Sequence, residues 1–141
     1  TKKNKTKSLI SEKTSLEIVN ILRKVVTDKD VTASLADVDG YYVGGKTGTS
    51  QNYENKNENL NTFISIFPSQ KPKYAMLVML ENPKIAKDLI YDYRGLKIKG
   101  TRNEAGWNLV YVAGKIIEKI GPILAIKSKE FKDHYVAESI N

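Results

Sequence analysis

The stretch DGYYVGGKTGTSQN, residues 39–52, decides which of two folds this chain adopts. Counted from Gly40 it matches G-x-x-x-x-G-K-T, the pattern of a phosphate-binding loop that joins a buried strand to a helix. Counted from Lys46 it reads K-T-G-T, which on an edge strand would place the hydroxyls of Thr47 and Thr49 on one face. The two interpretations require different elements on either side, so the neighbouring residues discriminate between them.

The neighbours favour the strand. The upstream segment DVTASLADVD is too polar for a buried strand, and the downstream segment TGTSQNYENKNEN has a glycine and several asparagines where a helix would have to run. Aromatic and β-branched residues between the glycines prefer extended backbone. We therefore predict a strand from Tyr41 to Ser50, followed by a hydrophilic turn over residues 51–59.

Two further strands follow at short spacing. LNTFISIF, residues 60–67, alternates between two faces, and YAMLVML, residues 74–80, is apolar on both faces, which predicts a covered interior strand. The polar stretch at 68–73 predicts the turn that joins them. Residues 83–100 predict a polar connection with a helical turn near 85–90. These three strands predict an antiparallel meander.

A helix is predicted on each side of the meander. The first runs from Ser11 or Ser15 to Val26, because its apolar residues recur at helical spacing. Ser11 or Thr14 would cap it, and Thr14 and Glu17 have capping-box spacing. The second begins after the capping-box pair Thr101 and Glu104 and ends at Gly121-Pro122. The predicted class is therefore α/β (α+β), with an antiparallel sheet meander flanked by N- and C-terminal helices.

Composition limits the kinds of chemistry that are open to this chain. It has 141 residues, 40% hydrophobic and 28% charged, which suits one globular domain. The lack of cysteine excludes disulfides and thiolate sites, and the single histidine, His134, cannot form a metal site alone. We predict no metal and no cofactor. The net charge of +7 invites a nucleic-acid interpretation, but the cations are mostly scattered lysines, so no nucleic-acid partner is predicted.

The K-T-G-T residues have properties suited to binding an anionic peptide end. The Thr47 and Thr49 hydroxyls could hold a carboxylate, and Gly48 removes a side chain where a substrate backbone would approach. Lys46 supplies a positive charge, and a backbone N–H at the strand edge could stabilise an oxyanion. We predict Thr47, Gly48 and Thr49 as substrate-binding residues.

The segment VGGKTGTSQ resembles the V-A-G-K-T-G-T-A-Q segment of class B penicillin-binding proteins, especially the cell-division peptidoglycan transpeptidases. The resemblance extends over residues 11–126: NTFISIFPSQKPKYAMLVMLENPK is similar to the next two strands of that family, and AGWNLVYVAGKIIEKIGPIL to its C-terminal helix. It implies a partial penicillin-binding-protein or β-lactamase-like transpeptidase fold.

The resemblance also implies a function. The family cross-links peptidoglycan stem peptides through a serine acyl-enzyme, and β-lactams acylate the same serine. By matching positions, Lys46 would join the hydrogen-bond network and favour the substrate carboxylate, and Thr47 and Thr49 would bind that carboxylate. The Thr49 N–H would share the oxyanion hole. The resemblance therefore implies Lys46 and Thr49 as catalytic residues. Implied partners are stem peptides, β-lactams, the remainder of the same domain, and division or elongation proteins.

The chain departs from the family in lacking S-x-x-K, the motif that carries the nucleophile and its base. Ser50-Gln51-Asn52 spells S-x-N, but it follows K-T-G-T instead of preceding it. We therefore expect an excised piece that supplies three strands of the sheet and is inactive alone, and that exposes a sheet edge and an apolar surface. Alternatives are a non-catalytic binding or assembly module, a D,D-carboxypeptidase or β-lactamase relative, and a nucleic-acid binder.

The expected organisation has three parts. Residues 1–10 form a disordered or end segment, residues 11–126 the C-terminal portion of a transpeptidase domain, and residues 127–141 a charged tail. The parent protein is expected on the periplasmic side of the bacterial inner membrane, held there by an N-terminal helix that is absent here. Its role in division rather than elongation rests on segment resemblance alone.

Overall fold

The computed structural model describes residues 8–28, 33–51, 58–85, 87–93, 96–99 and 104–127. The predicted end segment and charged tail lie largely outside these ranges, as do His134 and most of the 51–59 turn. The described part has the α+β class that the sequence predicts. Its elements are helix α1 (Glu12–Thr27), a short 3-10 helix (Ser34–Ala36), strands β1 (Gly44–Gln51), β2 (Asn59–Phe67), β3 (Tyr74–Glu81), β4 (Ile90–Tyr93) and β5 (Leu96–Lys99), and helix α2 (Leu109–Lys127).

Helix α1 begins where a serine satisfies its first turn. The Ser11 Oγ accepts a hydrogen bond from the Thr14 N–H at 3.0 Å, so Ser11 is the N-cap and Thr14 lies inside the helix. This confirms the earlier of the two predicted starts and excludes Thr14 as the cap. The side of α1 that carries Val26 is buried, whereas Ile18 and Ile21 are exposed.

The meander is confirmed. Strand β1 pairs antiparallel with β2, and β2 pairs antiparallel with β3, in the order β1-β2-β3. Strand β1 begins later than predicted, because Tyr42 has a positive φ of 50° and cannot continue an extended strand. Tyr41 instead packs in the core, and Tyr42 accepts a hydrogen bond from the Ser69 N–H at 2.8 Å through its carbonyl.

The predicted interior position of the third strand is wrong for the described chain. Strand β3 is at the edge of its sheet, and only alternate side chains contact the core. Leu77 and Met79, on the other face, are 57% and 51% exposed. Ile64 of β2 lies opposite Leu77 and is 53% exposed. This outer face agrees with the expected exposed apolar surface, and we define it as Ile64, Leu77 and Met79.

The core lies on the opposite face of the sheet, between Phe63 and Phe67 of β2 and the buried side of α2. Two glycines of α2 allow close packing. An added Cβ at Gly114 would lie 2.6 Å from the Leu35 carbonyl oxygen, and one at Gly121 would overlap the Tyr41 ring. Gly114 therefore packs against the 3-10 helix and not against the sheet.

Two predictions after β3 need correction. Helix α2 does not stop at Gly121-Pro122 but continues to Lys127, because Leu124 and Ala125 still pack against the core. The predicted capping residue Thr101 lies outside the described residues. Residues 90–93 and 96–99 pair as the antiparallel strands β4 and β5, where the sequence predicts part of a polar connection. Of the helical turn predicted near residues 85–90, the described residues show a turn at 87–88 and the first residue of β4. Four-residue strands give too short a pattern to separate from a loop.

Candidate functional site

The K-T-G-T residues lie in the middle of β1, with the hydrogen-bonded partner β2 on one side. A phosphate-binding loop would need Lys46 and Thr47 at the first turn of a helix. Both residues are in extended backbone and pair with Ile64 and Phe63 of β2. The phosphate-loop interpretation is therefore excluded.

Alternation along β1 divides the predicted site residues between two faces. Thr47 and Thr49 lie on the core-facing side of the sheet, opposite Phe63 and Asn61, so they share a face as predicted. Lys46 lies on the other face, with Ile64 of the exposed outer face as its partner. The lysine nevertheless reaches the strand edge, because its Nζ donates a hydrogen bond to the Thr47 carbonyl at 2.7 Å.

Gly48 lies against a neighbouring side chain within the sheet. Its register partner is Thr62, and an added Cβ at Gly48 would lie 2.6 Å from the Thr62 Oγ1. The Thr62 hydroxyl donates a hydrogen bond to the Gly48 carbonyl at 3.3 Å. Space that a larger side chain would need is thus filled by a hydroxyl from β2, a reason for glycine that is independent of any substrate.

The direction of this carbonyl fixes the direction of the next amide. In a trans peptide the C=O and the N–H of one unit point in opposite directions. The Gly48 carbonyl points towards β2, where it accepts from Thr62. The Thr49 N–H belongs to the same peptide unit, so it points to the outer edge of β1. An approaching carbonyl oxygen could reach it there.

The segment that precedes α2 lies beside the end of the K-T-G-T strand. The Ala105 N–H donates a hydrogen bond to the Thr49 Oγ1 at 3.3 Å. On β2, the buried Asn61 donates from its Nδ2 to the Asn108 Oδ1 at 3.3 Å. These two contacts hold the segment before α2 against β1 and β2. The Thr49 hydroxyl retains its own proton for donation to a second group.

An arginine of α1 forms hydrogen bonds with the residues that precede β1. The Arg23 Nη1 donates to the Asp37 Oδ1 at 2.8 Å and to the Val43 carbonyl at 2.7 Å. The Asp37 side chain is 6% exposed and that of Arg23 is 26% exposed, so the ion pair is largely shielded from water. The Arg23 guanidinium also lies 5.9 Å from the centroid of the Tyr42 ring. One side chain thus links α1, the loop after the 3-10 helix and the residues that precede β1.

Comparison with known proteins agrees with this architecture. The family model described as "Penicillin binding protein transpeptidase domain" matches residues 1–102. The chain belongs to the penicillin-binding protein transpeptidase family. Because its relatives are much longer, the chain spans about a fifth of the length of the curated relatives it matches (21% and 17% for the two described next).

Two relatives in this transpeptidase family show how much of each chain the similarity covers. The probable peptidoglycan D,D-transpeptidase FtsI of Caulobacter vibrioides is 33% identical over 132 residues, which cover 86% of this chain and 21% of that protein. Stage V sporulation protein D of Bacillus subtilis is 31% identical over 128 residues, which cover 88% of this chain and 17% of that protein.

A solved structure of the transpeptidase family shares the fold. The transpeptidase domain of the FtsI4 D,D-transpeptidase from Legionella pneumophila aligns with a TM-score of 0.57 and 27% sequence identity. The alignment covers 77% of this chain and 35% of that one. The α+β arrangement with an antiparallel sheet is therefore that of a transpeptidase domain.

Sequence reasoning missed three features of this family member's site: the Thr62 hydroxyl, the Ala105 N–H and the Arg23 clamp. Position 62 could be assigned to a strand face, but its opposition to Gly48 required the β1–β2 register. Ala105 acts through its backbone, which its side-chain identity does not reveal. Arg23 stands out only as one of three arginines in a lysine-rich chain.

The described ranges hold neither a metal-binding cluster nor a membrane-spanning helix. There, no three His, Cys, Asp or Glu side chains group closely enough to hold a metal ion. No helix among residues 8–28 or 104–127 is long and apolar enough to cross a membrane. The S-x-N pattern has Ser50 and Gln51 at the end of β1, and its Asn52 lies outside the described part.

Proposed function

We propose that this chain is the C-terminal part of a serine D,D-transpeptidase domain that cross-links peptidoglycan stem peptides. One observation carries the proposal: K-T-G-T occupies an edge strand of a transpeptidase-family sheet, and the Thr49 N–H points away from the paired side. Such an edge suits a substrate that enters in extended conformation and presents a carbonyl oxygen to a backbone donor.

The reaction assigns a role to each K-T-G-T residue. A serine oxygen attacks the penultimate D-alanine carbonyl, the new C–O bond replaces the C–N bond, and D-alanine leaves with the proton that the serine lost. An amine of a neighbouring stem then attacks the ester and returns a proton to the serine. The Thr49 N–H would stabilise both oxyanions. Thr47, Thr49 and Lys46 would hold the terminal carboxylate.

The position of Lys46 supports a role at the strand edge. The Lys46 Nζ donates a hydrogen bond to the Thr47 carbonyl at 2.7 Å, close to the edge that the substrate would occupy. The Lys46 Cβ is on the opposite face of the strand from the threonine hydroxyls. A positive charge there would favour an anionic substrate end. Gly48 would leave the face opposite the two threonines free of a side chain beside the Thr62 hydroxyl.

The nucleophile and its base would come from residues outside this chain. The sequence has no S-x-x-K, and acyl transfer requires an activated nucleophile. The remainder of the domain would therefore be the first partner, and it would cover the outer face formed by Ile64, Leu77 and Met79. By the same proposal the isolated chain is inactive, and division or elongation proteins are further partners of the parent.

Domain boundaries and location belong to the same proposal. Residues 11–126 would form the domain portion, residues 1–10 an end segment and residues 127–141 a charged tail. The transpeptidase domain would lie on the periplasmic side of the inner membrane, where peptidoglycan is made, and the parent would be held there by an N-terminal helix.

The test is covalent labelling with a fluorescent penicillin, read after denaturation, on the full-length protein and on this chain side by side. We expect label on the full-length protein alone, because the β-lactam carbonyl would form an ester with a serine outside this chain. Lys46→Ala in the full-length protein should lower the labelling rate by about 100-fold, which is the effect of removing a transition-state contact.

Lys84→Ala is the matched control, since Lys84 is an exposed lysine beyond β3 and should label at the wild-type rate. No label on either protein would contradict the transpeptidase proposal and favour a non-catalytic module of this fold. Rapid loss of the label by hydrolysis would favour a D,D-carboxypeptidase or β-lactamase relative.

A further inference from the structure

We propose that Thr62 is a positioning residue that strengthens the oxyanion donor of this site. The inference rests on the proposed function, and it assigns a task to a side chain outside the K-T-G-T motif. Thr62 lies on β2 directly opposite Gly48, and its side chain is half-buried. It donates its hydroxyl proton to the Gly48 carbonyl at 3.3 Å.

The Gly48–Thr49 peptide unit connects this hydrogen bond to the substrate edge. A proton donated to the carbonyl oxygen draws electron density through the amide and leaves the nitrogen more positive. Hydrogen bonds in such a chain strengthen one another. The Thr49 N–H, on the opposite side of the same unit, therefore becomes a better donor to an oxyanion.

Glycine at position 48 is part of the same arrangement. An added Cβ there would lie 2.6 Å from the Thr62 Oγ1, so the hydroxyl would have to shift. A side chain at position 48 would therefore disturb the contact between this hydroxyl and the Gly48 carbonyl.

The contribution can be separated from substrate binding. In acylation by a β-lactam, the serine oxygen bonds to the ring carbonyl carbon, the ring C–N bond breaks, and the ring nitrogen takes the proton. Negative charge collects on the carbonyl oxygen only in the transition state. A stronger Thr49 N–H therefore raises the acylation rate constant and leaves the non-covalent dissociation constant unchanged.

Three variants of the full-length protein test this. Thr62→Val keeps the shape and removes the hydroxyl, so the acylation rate constant should fall about 3- to 10-fold, a part of the loss caused by deleting an oxyanion donor. Thr62→Ser keeps the hydroxyl and should stay within about twofold of wild type. Ser65→Ala is the matched control, since it removes a hydroxyl that donates to the Met76 carbonyl at 3.4 Å on the opposite side of β2.

The second readout is the stretching frequency of the acyl-enzyme ester carbonyl, measured by isotope-edited infrared spectroscopy. A weaker oxyanion donor raises this frequency, so Thr62→Val should shift it upwards, while Thr62→Ser and Ser65→Ala should not. Equal acylation rates and frequencies in wild type and Thr62→Val would overturn the inference, and so would a Thr62→Ser variant as slow as Thr62→Val. A wild-type protein that takes no label overturns the proposed function itself, and this inference with it.

Discussion

At the scale of single residues, Gly45 leaves little room for a side chain. An added Cβ would lie 2.6 Å from the Phe63 Cζ and 2.7 Å from the Ile64 carbonyl oxygen, and Phe63 is fully buried. We expect Gly45→Ala to lower the free energy of unfolding by about 1–3 kcal/mol, because a closely packed core must shift. Chemical denaturation measures this. Ser50→Ala, at an exposed position of β1, should change it by less than about 0.5 kcal/mol, and equal effects would contradict the packing argument.

The Arg23–Asp37 pair makes a second residue-scale prediction. Arg23→Met leaves a shielded carboxylate without its guanidinium and also removes the hydrogen bond to the Val43 carbonyl. We expect a loss of about 3 kcal/mol in the free energy of unfolding. Lys115→Met is the control, because its partner Glu118 is 48% exposed and the pair should contribute less than about 0.5 kcal/mol. If Arg23→Met and Lys115→Met lowered the free energy of unfolding equally, the shielding of the Arg23–Asp37 pair would not contribute to stability.

At the scale of elements, Pro122 of α2 is the residue whose replacement is most informative. Because α2 continues past it, this exposed proline removes one backbone hydrogen bond and crowds the preceding turn. Pro122→Ala should therefore raise the free energy of unfolding by about 1–2 kcal/mol, after allowing for a more flexible unfolded chain. Pro72→Ala, in the exposed turn before β3, should lower it by up to about 1 kcal/mol. Destabilisation by Pro122→Ala would contradict a continuous helix.

The helices and strands also show which structural features local sequence patterns predict. Helix α1 and the meander were predictable because apolar periodicity and turn residues are local signals. The extension of α2 past Gly121-Pro122 was not, since a local stop signal is outweighed there by the packing of Leu124 and Ala125, which only the tertiary structure reveals. The site divides in the same way: K-T-G-T was readable as a strand, whereas its contacts with Thr62 and Ala105 depend on register and chain path.

At the scale of the whole molecule, the outer face of Ile64, Leu77 and Met79 determines how the isolated chain behaves in solution. Exposed apolar surface beside a sheet edge favours association. We expect this chain to self-associate in sedimentation velocity, and the double variant Leu77→Thr with Met79→Thr to remain mainly monomeric. Val78→Thr, whose side chain packs on the core, should instead weaken folding and leave association undiminished. A monomeric wild-type chain would contradict this expectation.

The same face explains why the predicted interior position of β3 was wrong. YAMLVML is apolar on both faces, and such a pattern indicates cover on both faces. In the described chain only the core side is covered. The apolar residues of a strand indicate which of its faces are covered in the complete protein. The covering residues can belong to another part of a longer protein.

The glycine at the start of β1 has a consequence for how such a chain can evolve. An added Cβ at Gly44 would lie 3.2 Å from the backbone nitrogen of Arg23 and 3.3 Å from the carbonyl carbon of Leu22. The backbones of α1 and β1 are therefore in direct contact at this point. No side chain at position 44 takes part, and a substitution in α1 therefore has no partner there with which to covary. The exposed surface of α1 can drift in composition while its spacing from the K-T-G-T strand stays fixed, and covariation between sequences would not detect this contact.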